Sequence, residues 1–176
     1  MQNKLVYLDE VLGEGMYGRV TLASDVENRE RGASTKETDF KYACKIIDLN
    51  KINQDDLECI QREVKIQSAV KSPYTVGLYQ TIRTSSKIYM FQELCNGLDL
   101  GVLQRLRKSI SQEEARCIMR HVVLGIRDIW ELSVIHRDMK LANIVLHFPD
   151  NPEMTRMNRN DKKKFLATVD FTKVNF

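Results

Sequence analysis

The sequence predicts an α+β fold, with strands gathered in the first half of the chain and helices in the second. Two observations carry this. Strand-like apolar runs recur between Leu5 and Gln92, with one helical pattern among them. Beyond Gln92 the clearest pattern is one long amphipathic helix, followed by an unusually polar stretch at 136–143. The chain has 176 residues, 43% of them apolar, enough for one domain with a sizeable core. The net charge of +3 is too small to argue for nucleic acid as a partner. Lys162 to Lys164 read as a solvated loop. Cys44, Cys59, Cys95 and Cys117 are scattered without a C-x-x-C pair, which fits reduced thiols in a cytoplasmic setting. The first residues lack a signal-peptide core, and no apolar run approaches the length of a membrane span.

In chain order, residues 5–12 predict a strand. Next comes G-E-G-M-Y-G-R-V, residues 13–20. In dinucleotide-binding folds G-x-G-x-x-G opens a helix. Here Val20, Leu22 and Val26 alternate around β-branched Thr21, so Gly13 to Gly18 form the turn of a β-hairpin. Glycines there let backbone N–H groups approach phosphates, with Tyr17 at the tip to cover them. Residues 27–39 are polar and predict a long hairpin loop. F-K-Y-A-C-K-I-I, residues 40–47, alternates and predicts a strand. A strand lysine commonly snorkels to solvent, but Lys45 sits between Ala43 and the pair Ile46, Ile47.

Residues 55–70 predict a helix with Leu57, Ile60 and Val64 as its stripe and Asp55 or Asp56 as its cap. Ser72-Pro73 ends it, and 74–82 and 87–92 predict two strands. In E-L-C-N-G-L-D-L, residues 93–100, Asp99 can cap a following helix. Ser111 and Glu114 make a capping box for a helix over 111–132. Ala115, Ile118, Met119, Val122, Val123, Ile126, Ile129 and Trp130 form its apolar face, with Cys117 and His121 as packing residues. Residues 147–164, with Pro149 and Pro152, predict a loop insertion, and 165–172 a strand.

Between the long helix and that insertion lies V-I-H-R-D-M-K-L-A-N-I-V, residues 134–145. It is too polar for a core helix and reads as a loop between apolar anchors. Asp138 can accept a hydroxyl proton, Lys140 can neutralise a phosphate, and the Asn143 amide oxygen can bind Mg²⁺, a constellation suited to phosphoryl transfer. Here the chain resembles the eukaryotic protein kinases, whose catalytic loop is His-Arg-Asp-x-x-x-x-Asn. Five motifs stand in that family's order: the glycine loop, Lys45, Glu63, Asp138 to Asn143, and Asp170.

The resemblance implies a protein-kinase-like two-lobed fold, with a β-rich lobe over 1–92, a hinge over 93–97 and the first part of a helical lobe over 98–176. It implies ATP contacts from Leu12, Gly13, Glu14, Gly15, Tyr17, Gly18, Val20, Ala43, Lys45, Glu93, Cys95 and Val145. Asp99 would contact ribose if it does not cap. Lys45 would grip the α- and β-phosphates and pair with Glu63, while Asn143 and Asp170 would bind Mg²⁺ and Phe171 would pack inward. Lys140 resembles the serine/threonine class, and Arg137 resembles kinases regulated by activation-loop phosphorylation. The implied function is transfer of the ATP γ-phosphate to Ser/Thr hydroxyls of a protein substrate, with Asp138 as base.

Four departures accompany the resemblance. Gln67 replaces a large apolar residue, Gln92 is an unusual polar gatekeeper, and Thr172 replaces the glycine of Asp-Phe-Gly and would stiffen that segment. Asn143 and Asp170 also stand farther apart than the family's short hairpin allows. The alternative reading is a pseudokinase or a truncated ATP-binding module without transfer activity; a nucleotide-dependent dehydrogenase ranks behind both. The chain stops at Phe176, before the activation segment, so residues 1–176 alone are expected to be marginally folded and inactive towards proteins.

Overall fold

Period-two alternation builds the first of two compact units (Met1–Lys71 with Val76–Leu94; Ser72–Thr75 with Cys95–Phe176). The computed structural model describes residues 5–15, 17–25 and 42–176. The expected loop at 27–39, together with Val26, Phe40 and Lys41, lies outside the described residues.

In the first unit, β1 (Leu5–Gly15), β2 (Gly18–Asp25), β3 (Tyr42–Asp48), β4 (Leu78–Arg83) and β5 (Lys87–Glu93) form an antiparallel sheet in the order β1-β2-β3-β5-β4. In β3, Cys44 and Ile46 point to one face, where they meet Ala23 and Phe91. Ile47 points to the other face and packs with Ile60, Ile88 and Met90. Lys45 shares the Ile47 face because strand side chains alternate. Helix α1 (Gln54–Ala69) covers that face through Leu57, Ile60 and Val64. Its cap is Asn53 rather than Asp55 or Asp56. The Asn53 side chain accepts the Asp56 N–H, and the Asp56 carboxylate accepts the Asn53 N–H. β1 runs past the expected Leu12 to Gly15, with register irregularities between Tyr7 and Gly13. β4 starts at Leu78, not at residue 74, because the Tyr74 N–H donates to the Ser72 hydroxyl and the Thr75 N–H to the Ser72 carbonyl, closing a turn.

The second unit is helical. Helix α2 (Leu100–Arg107) is capped by Asp99, whose side chain accepts the Val102 N–H. Helix α3 (Gln112–Trp130) starts with the expected Ser111–Glu114 capping box. The turn at 72–75 docks on it: Ser72 donates to Asp128 at 2.6 Å, and a side chain at Gly125 would come within 2.8 Å of the Tyr74 carbonyl oxygen.

Residues 147–164 are not a loop insertion, and 165–172 do not form a strand. A 3₁₀ turn (Pro152–Thr155) and helix α4 (Arg159–Thr168) replace both. The Asn158 side chain caps α4 by accepting the N–H groups of Asn160 and Asp161. Burial explains the choice of helix. Phe148, Met154, Leu166 and Phe171 complete one core with Leu103 and Ile118. Buried Asn96 clamps this segment, donating to the carbonyls of Phe148 (2.9 Å) and Asn151 (3.1 Å) and accepting the Phe148 N–H (2.8 Å). A buried amide with all these partners is a structural anchor.

Candidate active site

In the first unit the hairpin places its glycines unequally. Gly15 pairs with Gly18 across the turn. A side chain at Gly13 would meet nothing, and one at Gly15 only an ordinary backbone contact, so open space lies beside their amides. A side chain at Gly18 would collide with the Ile46 carbonyl oxygen, so this glycine permits the close approach of β2 and β3. Leu12 and Glu14 are exposed on β1, and Val20 is half-buried on β2 opposite Lys45. Tyr17 sits at the hairpin tip, but its ring packs towards the α1 cluster rather than standing free. Its hydroxyl bonds to Asp56, which holds its pKa above the ordinary tyrosine range.

Lys45 and Glu63 are joined by an ion pair, with Nζ 2.7 Å from Oε1. Strand period places Lys45 on the α1 face, and the spacing of Glu63 from Ile60 and Val64 sets it at the edge of the α1 stripe, half-exposed. Beside them the two polar departures answer each other. Gln92 donates to the Gln67 side-chain oxygen at 2.9 Å, and Gln67 donates to the Val76 carbonyl at 3.1 Å. One amide thus satisfies the other where apolar packing was expected. Ala43 faces Gln92 across the β3–β5 ladder. The Glu93 N–H donates to the Gly77 carbonyl at 2.8 Å, and its carboxylate accepts the Gly77 N–H.

In the second unit, a short ladder anchors the polar loop. The Gly97 N–H donates to the Leu146 carbonyl, Leu146 returns a bond to Leu98, and Asp99 faces Val145. Cys95 is half-buried just before this ladder. Residues 134–140 have no helix or strand, and Leu141–Asn143 forms a single 3₁₀ turn. Arg137 adopts a positive φ of 64° at the head of that loop. Asp138 is the focus. Its Oδ2 accepts from Lys140 Nζ at 3.0 Å and from the Asn143 side chain at 2.8 Å. The Asn143 amide also donates to the Asp138 carbonyl at 2.9 Å. Lys140 first, then Asn143, holds the Asp138 carboxyl below its ordinary pKa, which favours its ionised form.

Asp170 follows α4 in a turn. It accepts from the Thr172 hydroxyl at 2.7 Å, the Thr172 N–H at 3.0 Å and Lys173 Nζ at 3.0 Å. Thr172 first, then Lys173, lowers its pKa to about 2. Phe171 is buried. His121 stacks near Tyr74 and Phe176, a packing role. Sequence reasoning missed Asn96 and the Arg107–Glu114 ion pair (2.7 Å). Asn96 lay in a connecting run where a buried polar group leaves no periodic signal.

Asn143 and Asp170, the residues expected to hold Mg²⁺, carry hard oxygen atoms of the kind it takes, and both Asp170 oxygens are engaged here by Thr172 and Lys173. No cluster of three or more His, Cys, Asp or Glu occurs among the described residues. Mg²⁺ is commonly held by one or two carboxylates, with waters and substrate phosphates completing its shell, so a dense protein cage is not needed.

A family model described as "Protein kinase domain" matches residues 7–157. Similar proteins include serine/threonine-protein kinase 33 of Mus musculus, 29% identical over 152 residues, covering 86% of this chain and 29% of that protein. NUAK family SNF1-like kinase 2 of Homo sapiens is 31% identical over 163 residues, covering 90% of this chain and 24% of that protein. Protein kinase C-like 1B of Caenorhabditis elegans is 38% identical over 140 residues, covering 78% of this chain and 18% of its own length. The chain thus spans under a third of these relatives.

Proposed function

The chain belongs to the protein kinase family, and from that premise we propose that it serves a serine/threonine protein kinase that transfers the ATP γ-phosphate to protein hydroxyls. The observation that carries the reading is the Lys45–Glu63 ion pair, the contact that holds the phosphate-gripping lysine in place in active kinases. Lys45 would hold the α- and β-phosphates, and the uncrowded backbone at Gly13 and Gly15 would admit them. By the family resemblance, Leu12, Val20, Ala43 and Glu93 of the first unit, and Cys95 and Val145 of the second, would be the adenine-contacting residues. Asn143 and Asp170 would hold Mg²⁺, which would supply charge neutralisation at the phosphates. Asp138 orients the attacking hydroxyl and takes its proton, and Lys140 screens the transferred charge. The rate comes from positioning and charge stabilisation. The reading includes a cytoplasmic setting, supported by four cysteines that are all free of disulfides.

One observation favours the second reading, a nucleotide-binding module without transfer. The Asp170 carboxylate is already engaged by Thr172 and Lys173. Titration with a fluorescent ATP analogue tests what both readings share. Mg²⁺-dependent binding that Lys45→Met weakens is expected; binding indifferent to both Mg²⁺ and Lys45 rules the nucleotide assignment out.

A further inference from the structure

Exposed ion pairs are weak fasteners, contributing roughly 0–1 kcal/mol. The Lys45 and Glu63 side chains are 27% and 43% exposed, so their 2.7 Å ion pair does not by itself fix α1 against the sheet. The apolar contacts of α1 are non-directional. Its residues in the buried cluster, Leu57, Ile60 and Val64, reach no further along the helix than the residue after Glu63.

A second polar contact follows one turn on. Gln67 stands four residues after Glu63, hence on the same side of α1. On β5, Gln92 stands two residues after Met90, the cross-strand partner of Lys45, and so shares its face. The spacings correspond, since one helical turn advances about 5.4 Å and two strand residues about 7 Å. Lys45–Glu63 and Gln92–Gln67 are therefore successive rungs between sheet and helix, one charged and one neutral. Gln92 donates to the Gln67 side-chain oxygen at 2.9 Å, and the Gln67 amide nitrogen donates to the Val76 carbonyl at 3.1 Å. The next residue, Gly77, is locked to β5: its carbonyl accepts the Glu93 N–H at 2.8 Å, and its N–H donates to the Glu93 carboxylate at 3.2 Å.

Satisfying two half-buried amides accounts for the bonds themselves. It does not account for where they stand, one turn from the ion pair and joining the same helix to the same sheet. We propose that Gln67 and Gln92 are positioning residues that set α1 at the height where Glu63 meets Lys45, and so ready Lys45 for the nucleotide phosphates. The inference rests on the phosphate-binding role of Lys45. Hydrogen bonds weaken steeply with misalignment, so sliding or turning α1 breaks the amide rung where apolar packing would tolerate the shift.

The test is fluorescent-nucleotide binding by the whole chain, with a urea titration of every variant. Gln67→Met and Gln92→Met each break the amide rung with a side chain of nearly the same length. Each is made in the parent and together with Glu63→Gln, which removes the ion pair. Ile82→Val trims the core on the other face of the sheet and serves as the stability control. The expected result is binding about threefold or more weaker in each Met variant. In the Glu63→Gln background the same changes should cost little further, because the rung acts through Glu63, and Ile82→Val should bind like the parent. Unchanged affinity in the Met variants overturns the proposal. So do equal losses with and without Glu63→Gln, or failure of both Met variants to fold while Ile82→Val folds, since either marks a purely structural role. If Lys45→Met and Glu63→Gln themselves leave binding unchanged, the role of Lys45 fails, and the positioning role falls with it.

Discussion

Asp138 and Asp170 carry the same charge but sit in different restraints, and their variants separate the two roles. Asp138 is held ionised by Lys140 and Asn143. Its folded pKa lies below the unfolded value, so it stays ionised through and below the ordinary aspartate range. The pH profile of kcat/KM should therefore show no acid limb from this group between about pH 5 and 8; a limb there that Asp138→Asn removes would refute the ionised base. Asp170, with its pKa near 2, favours the folded state above its unfolded pKa, and that contribution is lost as pH falls towards 2. Acid unfolding followed by circular dichroism should show Asp170→Asn losing less stability than the parent between about pH 4 and 2. Thr172 donates two bonds to Asp170, so its effect is electrostatic as well as a matter of stiffness. Thr172→Gly should raise the Asp170 pKa and lower the Mg²⁺ concentration needed for nucleotide binding. A higher requirement would mean that Thr172 helps to aim the carboxylate. The buried Cys44 thiol, pushed up to about 12 by burial, should resist alkylation while exposed Cys59 reacts.

At the scale of elements, the Gln67–Gln92 bond ties α1 to β5 and so bears on where Glu63 stands. Gln67→Leu or Gln92→Leu alone leaves one amide without its partner, at a cost of about 1–3 kcal/mol. The double Leu variant replaces both partners and should recover most of that loss in urea titrations. Additive losses would show that the amides act independently. The same elements show what the sequence disclosed. Strands β3 and β5, helix α3 and the loop at 134–145 were legible because alternation, a capping box and a dense polar run are local signals. The Lys45–Glu63 contact was legible only through the family resemblance, since nothing local joins residue 45 to residue 63. Helix α4 was not read, because Lys162 to Lys164 masked its pattern and its apolar residues, Phe165 and Leu166, are adjacent rather than spaced by a turn. The Asn158 and Asp161 spacing was the signal that could have found it. β4 was read too early because Tyr74, Val76 and Leu78 alternate, while Ser72 had already committed residues 72–75 to a turn.

For the whole molecule, surface and chemistry both matter. The α3 face expected to be apolar is open at Met119, Val123 and Trp130, the last 70% exposed, while Ile118 is buried. Full burial of such a side chain is worth roughly 1.5–3 kcal/mol, of which each of these partly exposed groups forgoes a share. Residues 1–176 should therefore self-associate as concentration rises, and Val123→Lys with Trp130→Glu should shift sedimentation towards monomer; equal association in both would place the sticky surface elsewhere. Under the proposed function, Asp138 acts in the chemical step on a protein hydroxyl. The most direct measurement of that role is transfer of labelled γ-phosphate to a generic Ser/Thr substrate, using the longest form of the protein that its gene encodes, as parent and as Asp138→Asn. Transfer by the parent is expected, with a drop in kcat of about 10²-fold or more in the variant and the KM for ATP little changed. Equal kcat in the two proteins, or a parent that binds Mg-ATP and transfers nothing, would contradict it.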